Sequence, residues 1–203
     1  GTPAATAGGQ EEENNGNGSL MRILPVAFYS ATMGDEEALR LANRASAITH
    51  GHPRSMMACG AYCLIVAALL DGMTPREAYL LTMEKTGRFY SGPSFSEELV
   101  HFSRLLSGDI DALSEAAIES DGYVVHTLEA SLWCLLTTDS YGSAVLKAVN
   151  LGWDTDTTAI VTGGLAGTHY GLEAVPRQWR DALARKQEIE ALFERFVDET
   201  MSG

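Results

Sequence analysis

The sequence predicts an all-α protein, and three observations carry that prediction. Apolar residues recur at helical spacing in nearly every segment after residue 34. Helix-starting patterns such as Thr74-Pro75 precede several of these segments. No segment alternates apolar and polar residues with the period of two that is typical of a half-buried strand. The 203 residues, 45% of them hydrophobic, suffice for one substantial core or at most two small ones. We expect one compact multi-helix domain.

The first predicted helix begins at Asp35, a residue type that favours the N-cap. Glu36 and Glu37 follow in the first turn, where negative side chains stabilise a helix. Its buried face is predicted to consist of Leu39, Ala42, Ala45 and Ile48. His50-Gly51-His52-Pro53 ends this helix, and Pro53 can open the next one at its first position.

The second helix has an apolar stretch over residues 56–70, and we expect it to be the central core helix. This stretch is shorter than the ~20 residues that a membrane span requires. Thr74-Pro75-Arg76-Glu77 then has the pattern of a capping box and predicts a helix to about Lys85.

The later elements follow from the same signals. Ser94-Phe95-Ser96-Glu97 repeats the capping-box pattern, and a weaker helix is predicted over residues 109–120. Apolar spacing predicts a core helix over 123–136 that contains Trp133. The remaining helices are predicted over residues 143–149, 157–171, from Pro176 onward and over 187–197.

Composition excludes some classes of function. The net charge of −13 argues against a general nucleic-acid binder, because phosphate neutralisation needs an excess of Lys and Arg. Cys59, Cys63 and Cys134 form no CxxC pair and lie in apolar helical patterns, which predicts reduced, buried thiols. The start of the chain does not resemble a signal peptide. We expect a cytoplasmic protein with no membrane partner.

The beginning of the chain differs in composition from the rest. Residues 8–18 are polar and glycine-rich and include Glu11-Glu12-Glu13-Asn14-Asn15. We therefore predict a flexible polar segment over residues 1–18, which is typical of a loop within a longer protein. A helical domain over residues 19–203, incomplete at its N-terminal side, is expected to follow.

The segment Gly152-Trp153-Asp154-Thr155-Asp156-Thr157-Thr158 is the strongest chemical signal. It brings two carboxylates and two hydroxyls within four residues at a predicted helix start. Such oxygen donors suit Mg²⁺, Mn²⁺ or Ca²⁺. The alternative is that Asp154 or Asp156 only caps the helix. The helix behind the segment contains Gly163, Gly164 and Gly167, and each costs about 1 kcal/mol relative to Ala inside a helix. Such glycines make sense if another backbone must pack very close and hold the acidic loop rigidly, which favours a functional role.

Three further clusters have weaker signals. Residues 14–18 are typical of a turn, but the change to an apolar sequence around Arg22 suggests a loop that offers backbone N–H groups to a phosphate or ribose. His50 and His52 are either metal ligands or, more commonly, helix caps and satisfied core groups. Tyr123 either stacks on a flat ligand or packs as an ordinary core aromatic.

Taken together, these stretches resemble the ADP-ribosylglycohydrolase family. The matching pieces are residues 16–25 (GNGSLMRILP), 49–53 (THGHP), 122–130 (GYVVHTLEA), 149–160 (VNLGWDTDTTAI), 163–167 (GGLAG) and 170–171 (YG). The resemblance implies an all-α fold with two Mg²⁺ ions, or Mn²⁺ instead, in a central cleft. It implies that Asp154, Asp156 and Thr157 are metal ligands, with Asp154 and Asp156 also catalytic.

The same resemblance implies where the substrate lies. The residues that would line the ADP-ribose groove are Asn17, Gly18, Ser19, Met21, Gly152 and Trp153. His50 would lie near the phosphates and Tyr123 near the adenine or ribose. The implied activity is hydrolysis of the N- or O-glycosidic bond of an ADP-ribosyl conjugate, with an ADP-ribosylated protein or a small conjugate as partner.

Two departures from the family pattern open an alternative. Family members carry an earlier Asp-Asp-Thr triplet that supplies further metal ligands, whereas no Asp-Asp pair occurs in this sequence. The missing N-terminal segment of the same protein is therefore an expected partner. Trp153 stands where the family usually has Gly, and it could stack on substrate, narrow the cleft or block it. The alternative is a non-catalytic ADP-ribose-binding or structural member of the same fold.

Overall fold

The computed structural model describes residues 3–201, and these residues form ten α-helices joined by 3₁₀ turns and loops. No strand of a sheet occurs between residues 3 and 201, so the all-α prediction is confirmed. The helices are α1 (Leu24–Ser30), α2 (Asp35–Ala47), α3 (Pro53–Leu70), α4 (Pro75–Phe89), α5 (Ser103–Leu106), α6 (Val124–Leu136), α7 (Tyr141–Asn150), α8 (Thr155–Tyr170), α9 (Arg177–Asp181) and α10 (Lys186–Met201).

Helix α3 lies at the centre of the fold. It packs against α1, α2, α4, α6 and α8, while α7 packs against α6 and α8. A helix that is apolar on all sides belongs in an interior. By length and composition alone α3 could cross a membrane, but 78% of it is buried inside the protein. Cys59, Cys63 and Cys134 are free and buried, as predicted.

The predicted helix starts are mostly confirmed. Pro53 is the first residue of α3, and both hydrogen bonds of the Thr74–Glu77 capping box are present. The prediction that Asp35 caps α2 is wrong by one residue, because Gly34 occupies the N-cap. Asp35 instead joins the first turn, where its carboxylate lies 2.7 Å from Lys85 Nζ and still faces the positive end of the helix dipole.

Three local predictions are wrong. The segment predicted as a loop around residues 19–28 contains α1, whose first turn holds Pro25. The Ser94 capping box does not form, and a 3₁₀ helix over Ser96–Phe102 leads into α5 instead. Residues 109–120 form two short 3₁₀ turns rather than a helix. In the 3₁₀ helix over Ser96–Phe102, the ion pair of Glu98 with the buried Arg54 is a tertiary contact that competes with the weak local preference.

At the two ends of the chain, one prediction is untested and the other is wrong in the length of the helix. The mobility of residues 1–18 stays a prediction, although Gly9 O accepts a hydrogen bond from Gly51 N at 2.8 Å. Helix α10 is longer than predicted. Its apolar residues are half-buried at Ile189 and Phe196 and exposed at Leu192 and Phe193.

Candidate functional site

Two loops that are more than 100 residues apart pair at one end of the fold. Val124 N donates to Asn15 O at 2.9 Å, and Asn17 N donates to Gly122 O at 3.1 Å. Gly16 and Tyr123 thereby form an isolated antiparallel bridge. The pairing fixes the backbone of the Asn-Gly loop against the start of α6.

Asn17 connects this pair to the acidic segment. Its buried amide donates to Asp154 Oδ2 at 2.6 Å and to Thr127 Oγ1 at 2.9 Å. Gly122 has φ of +89°, and a Cβ there would lie 3.1 Å from Asp154 Oδ2. Glycine is therefore needed at this position both for the backbone conformation and for the close approach of the carboxylate. Three separate motifs of the sequence meet at Asp154.

The segment before α8 is held from a second direction by Ser120. Asp154 N donates to Ser120 O at 2.9 Å, and Ser120 Oγ donates to Gly152 O at 3.1 Å. Asp154 occupies the N-cap position but makes no side-chain capping hydrogen bond. The capping interpretation stays open for Asp154, because the backbone N–H of Thr157, the third residue of α8, also lowers the pKa of this carboxyl group.

The charge of Asp154 follows from these contacts. Burial raises its pKa, but the hydrogen bond from Asn17 and other hydrogen bonds outweigh burial and hold the pKa below its usual value. The carboxylate is therefore ionised at neutral pH. Asp156 is exposed and Thr157 is buried, and both lie in the first turn of α8 beside Asp154. These oxygen donors fit a hard divalent cation that keeps several water ligands, as Mg²⁺ does.

A different group could also hold a metal ion by proximity. Within residues 3–201, one group of three His, Cys, Asp or Glu side chains lies close enough together to bind a single ion. It consists of Glu119, Asp121 and His126. His126 Nδ1 is 2.9 Å from Asp121 Oδ1, so hydrogen bonding within the cluster already accounts for this contact. Asp154 and Asp156 do not belong to this group.

His50 lies over the Asn-Gly loop. A Cβ at Gly18 would be 2.8 Å from His50 Cε1, and the ring Nδ1 is 2.8 Å from Thr49 Oγ1. Burial, and then the positive charge of Arg22, lower the pKa of His50. The imidazole is therefore neutral at pH 7 and offers one N–H donor.

The other predicted groove residues have different surroundings. The Ser19 hydroxyl is buried and accepts hydrogen bonds from Ser46 Oγ at 3.0 Å and from Cys59 Sγ at 3.4 Å. Met21 is exposed. Tyr123 is half-buried, and its hydroxyl lies 3.5 Å from Nη1 of the buried Arg54. The side chain of Ser19 therefore faces the core rather than a ligand.

The glycines of α8 have a different role from the one predicted. The sequence suggested the close approach of another backbone, but tyrosine side chains approach instead. A Cβ at Gly164 would lie 2.2 Å from the hydroxyl of the buried Tyr62, and one at Gly163 would lie 3.3 Å from that of Tyr141. Gly164 thus allows α3 and α8 to pack with Tyr62 between them.

Comparison with known proteins agrees with this geometry. The family model described as ADP-ribosylglycohydrolase matches residues 1–203. The chain belongs to the ADP-ribosylglycohydrolase family.

Individual relatives support the assignment. The chain is 29% identical to the ADP-ribosylarginine hydrolase Tri1 of Serratia proteamaculans (strain 568), over 95% of this chain and 49% of that protein. It is 33% identical to the ADP-ribosyl dinitrogen reductase glycohydrolase of Rhodospirillum rubrum, over 88% of this chain and 54% of that protein. The chain spans about half the length of these curated relatives.

A solved structure shows the same fold. The chain superposes on an ADP-ribosylglycohydrolase-related protein complex with a TM-score of 0.75 and 31% sequence identity. The match covers 90% of this chain and 60% of that chain.

Several residues that shape this candidate site were not identified individually by sequence reasoning. Thr127 and Ser120 hold Asn17 and Asp154 in place, and Ser55 Oγ donates to Asn15 Oδ1 at 3.2 Å. Small hydroxyl residues give no local signal of such a role, whether they lie in a helix, as Thr127 does, or in a loop, as Ser120 does. The stretch that contains Thr127 was recognised only as part of the family resemblance.

Proposed function

We propose that this chain supplies the sugar-nucleotide groove and metal ligands of a hydrolase that cleaves the N-glycosidic bond between ADP-ribose and arginine. The observation that carries the proposal is the hydrogen bond from Asn17 to Asp154, because it joins the Asn-Gly loop to the acidic segment in one site. Arginine is the acceptor named for the relative from Serratia proteamaculans. The family assignment supports a hydrolase of ADP-ribose conjugates.

Asp154, Asp156 and Thr157 would hold the metal in a binuclear Mg²⁺ centre, with Mn²⁺ as the alternative ion. When bound, the ions would bring positive charge to the ribose hydroxyls and lower the pKa of a bound water. The ionised state of Asp154 supports this role, since a metal ligand must give up its proton.

The remaining residues would bind and orient the ADP-ribose. Asn17 N already donates to Gly122 O, so the backbone N–H groups of Gly16 and Gly18 would bind the diphosphate, and the neutral His50 would add one donor beside that loop. Asp154 and Asp156 would supply negative charge near the anomeric carbon, where an oxocarbenium-like transition state would develop. In the reaction the bond from that carbon to the arginine nitrogen breaks, and water adds its oxygen to the carbon.

A second candidate is a non-catalytic ADP-ribose-binding protein. The observation in its favour concerns the number of metal ligands. Within the described residues, no third Asp, Glu, His or Cys side chain lies close enough to Asp154 and Asp156 to complete a three-residue ligand group. The O-glycosidic linkage is the other chemical alternative.

The test uses the full-length protein that contains this chain, calorimetric titration with ADP-ribose in the presence and absence of Mg²⁺, and an assay on ADP-ribosylarginine. We expect Mg²⁺ to tighten binding and the protein to release arginine. Asp156→Asn should lower turnover by ~100-fold or more, because a metal contributes several kcal/mol to the transition state, while helicity stays unchanged. Asp71→Asn is the matched control, because it removes the same charge from an exposed position outside the candidate site. Asp71 lies at the C-terminal end of α3, whereas Arg54, which contacts Tyr123, lies at the N-terminal end.

The outcomes separate the candidates. Mg²⁺-dependent binding without hydrolysis supports the non-catalytic protein. Release of serine from ADP-ribosylserine, assayed in parallel, with no release of arginine from ADP-ribosylarginine supports the O-glycosidic alternative. If the affinity for ADP-ribose changes neither when Mg²⁺ is added nor when Asp156 is replaced by Asn, the assignment of Asp156 as a metal ligand is wrong.

A further inference from the structure

Trp153 presents its side chain to solvent beside the proposed metal ligands. Its exposure of 87% is the largest among the exposed large hydrophobic residues of the described chain. Its φ of +58° lies in the left-handed region, which is uncommon for any residue with a bulky side chain. The indole therefore adds little to the core while its backbone adopts an unfavourable conformation.

Neighbouring contacts impose this backbone conformation. Ser120 binds both neighbours of Trp153, through Gly152 O at 3.1 Å and Asp154 N at 2.9 Å. Strained backbone of this kind persists when the surroundings fix it, and it concentrates at ligand sites. The result is a flat aromatic surface held next to Asp154, whose carboxylate is fixed by Asn17.

The two stretches of chain around the indole are acidic in sequence, while Arg104 donates to Ala117 O at 2.8 Å and Arg54 to the Tyr123 hydroxyl at 3.5 Å. The two segments joined by Ser120, residues 115–125 and 148–160, contain no Lys or Arg. Their acidic residues are Glu115, Glu119, Asp121, Asp154 and Asp156. An exposed aromatic face among carboxylates favours a planar cation, which gains both the attraction of the ring face and the surrounding negative charge.

We propose that Trp153 is a specificity-determining residue that stacks on a planar cationic group attached to the anomeric carbon of the substrate ribose. For the reaction proposed above, on which this inference rests, that group is the guanidinium of the modified arginine. A serine conjugate presents no flat cation there. The nicotinamide ring of NAD⁺ has the same chemistry, so the experiment includes it as a separate ligand.

The experiment compares wild-type protein with Trp153→Gly and Trp153→Phe in Mg²⁺. Four ligands are used: ADP-ribosylarginine, ADP-ribosylserine, NAD⁺ and ADP-ribose, each measured as KM where it is hydrolysed and as Kd where it is not. Glycine accepts the positive φ, so Trp153→Gly should fold at least as stably as wild type. Arg185→Gly is the control for relief of strain, since Arg185 has φ of +56° and lies just before α10.

We expect Trp153→Gly to weaken the binding of ADP-ribosylarginine by about threefold to thirtyfold, which is the range expected for the loss of a cation–π contact. ADP-ribosylserine and ADP-ribose should change by less than ~2-fold, the resolution of such a comparison, and Trp153→Phe should be intermediate. A parallel loss for NAD⁺ supports recognition of any planar cation.

Two results overturn the inference while leaving the proposed function intact. One is an equal change for all four ligands, and the other is an unchanged affinity for ADP-ribosylarginine in Trp153→Gly. A loss confined to NAD⁺ overturns the assignment to guanidinium. If wild-type protein binds none of the four ligands, the proposed function fails together with this inference.

Discussion

Two regions of the molecule are stabilised by different kinds of contact. One is the end of the fold where α6 and α8 begin, and the other is the C-terminal helix α10. At the first, residues from positions 15–17, 120–127 and 152–157 meet through long-range hydrogen bonds such as that of Asn17 with Asp154. In α10 the ion pair of Lys186 with Glu190 joins neighbouring turns of the same helix, and Leu192 and Phe193 are exposed. Helical propensity and local pairs can form α10, whereas the site exists only when the whole chain has folded.

The largest expected effect tests this contrast by stability. Leu165→Ala in α8 should lower the free energy of unfolding by about 2–5 kcal/mol, because Leu165 is fully buried and its truncation leaves a cavity. Leu192→Ala in α10 should cost less than about 1 kcal/mol, since its side chain is already half in solvent. Urea unfolding of both variants gives the comparison. Equal losses would mean that α10 is packed as tightly as α8.

A smaller effect concerns ligand binding. Asn17→Ala removes the hydrogen bonds to Asp154 and Thr127. Because Asp154 is a proposed metal ligand, we expect ADP-ribose affinity in Mg²⁺ to fall about 10- to 100-fold, the usual effect of removing a hydrogen-bond partner of a metal ligand. Asn14→Ala is the control, because Asn14 is exposed near the same loop. Unchanged affinity in Asn17→Ala, measured by calorimetry, would show that Asp154 does not depend on this partner.

The smallest effect tests the packing of α8. Gly164→Ala should destabilise by about 1–2 kcal/mol, because the added methyl meets the Tyr62 hydroxyl and overpacking outweighs the gain in helix propensity. Gly167→Ala should instead stabilise by up to about 1 kcal/mol, since its nearest neighbour is at 3.7 Å from the added carbon. Thermal unfolding of the two variants should therefore move in opposite directions. A shift in the same direction for both would contradict the role assigned to Tyr62.

Prediction from sequence succeeded where the signal is local and strong. The Thr74–Glu77 capping box and the start of α3 at Pro53 form as predicted, because the residues that interact lie within one helical turn. It failed for residues 94–106 and 109–120, where short segments with weak preferences adopt 3₁₀ turns under tertiary contacts. The roles of Asp156 and Thr157 as ligands stay predictions.

By itself, the sequence determined the all-α class and the cluster of oxygen donors at Asp154 to Thr157, because helical periodicity and adjacent side chains are properties of neighbouring residues. Only the tertiary structure decided that Asn17 binds Asp154 and that Ser19 faces the core. It also decided that tyrosine side chains fill the space left by the α8 glycines. Each of these contacts joins residues far apart in the chain, so its geometry depends on how the helices pack and not on any local pattern.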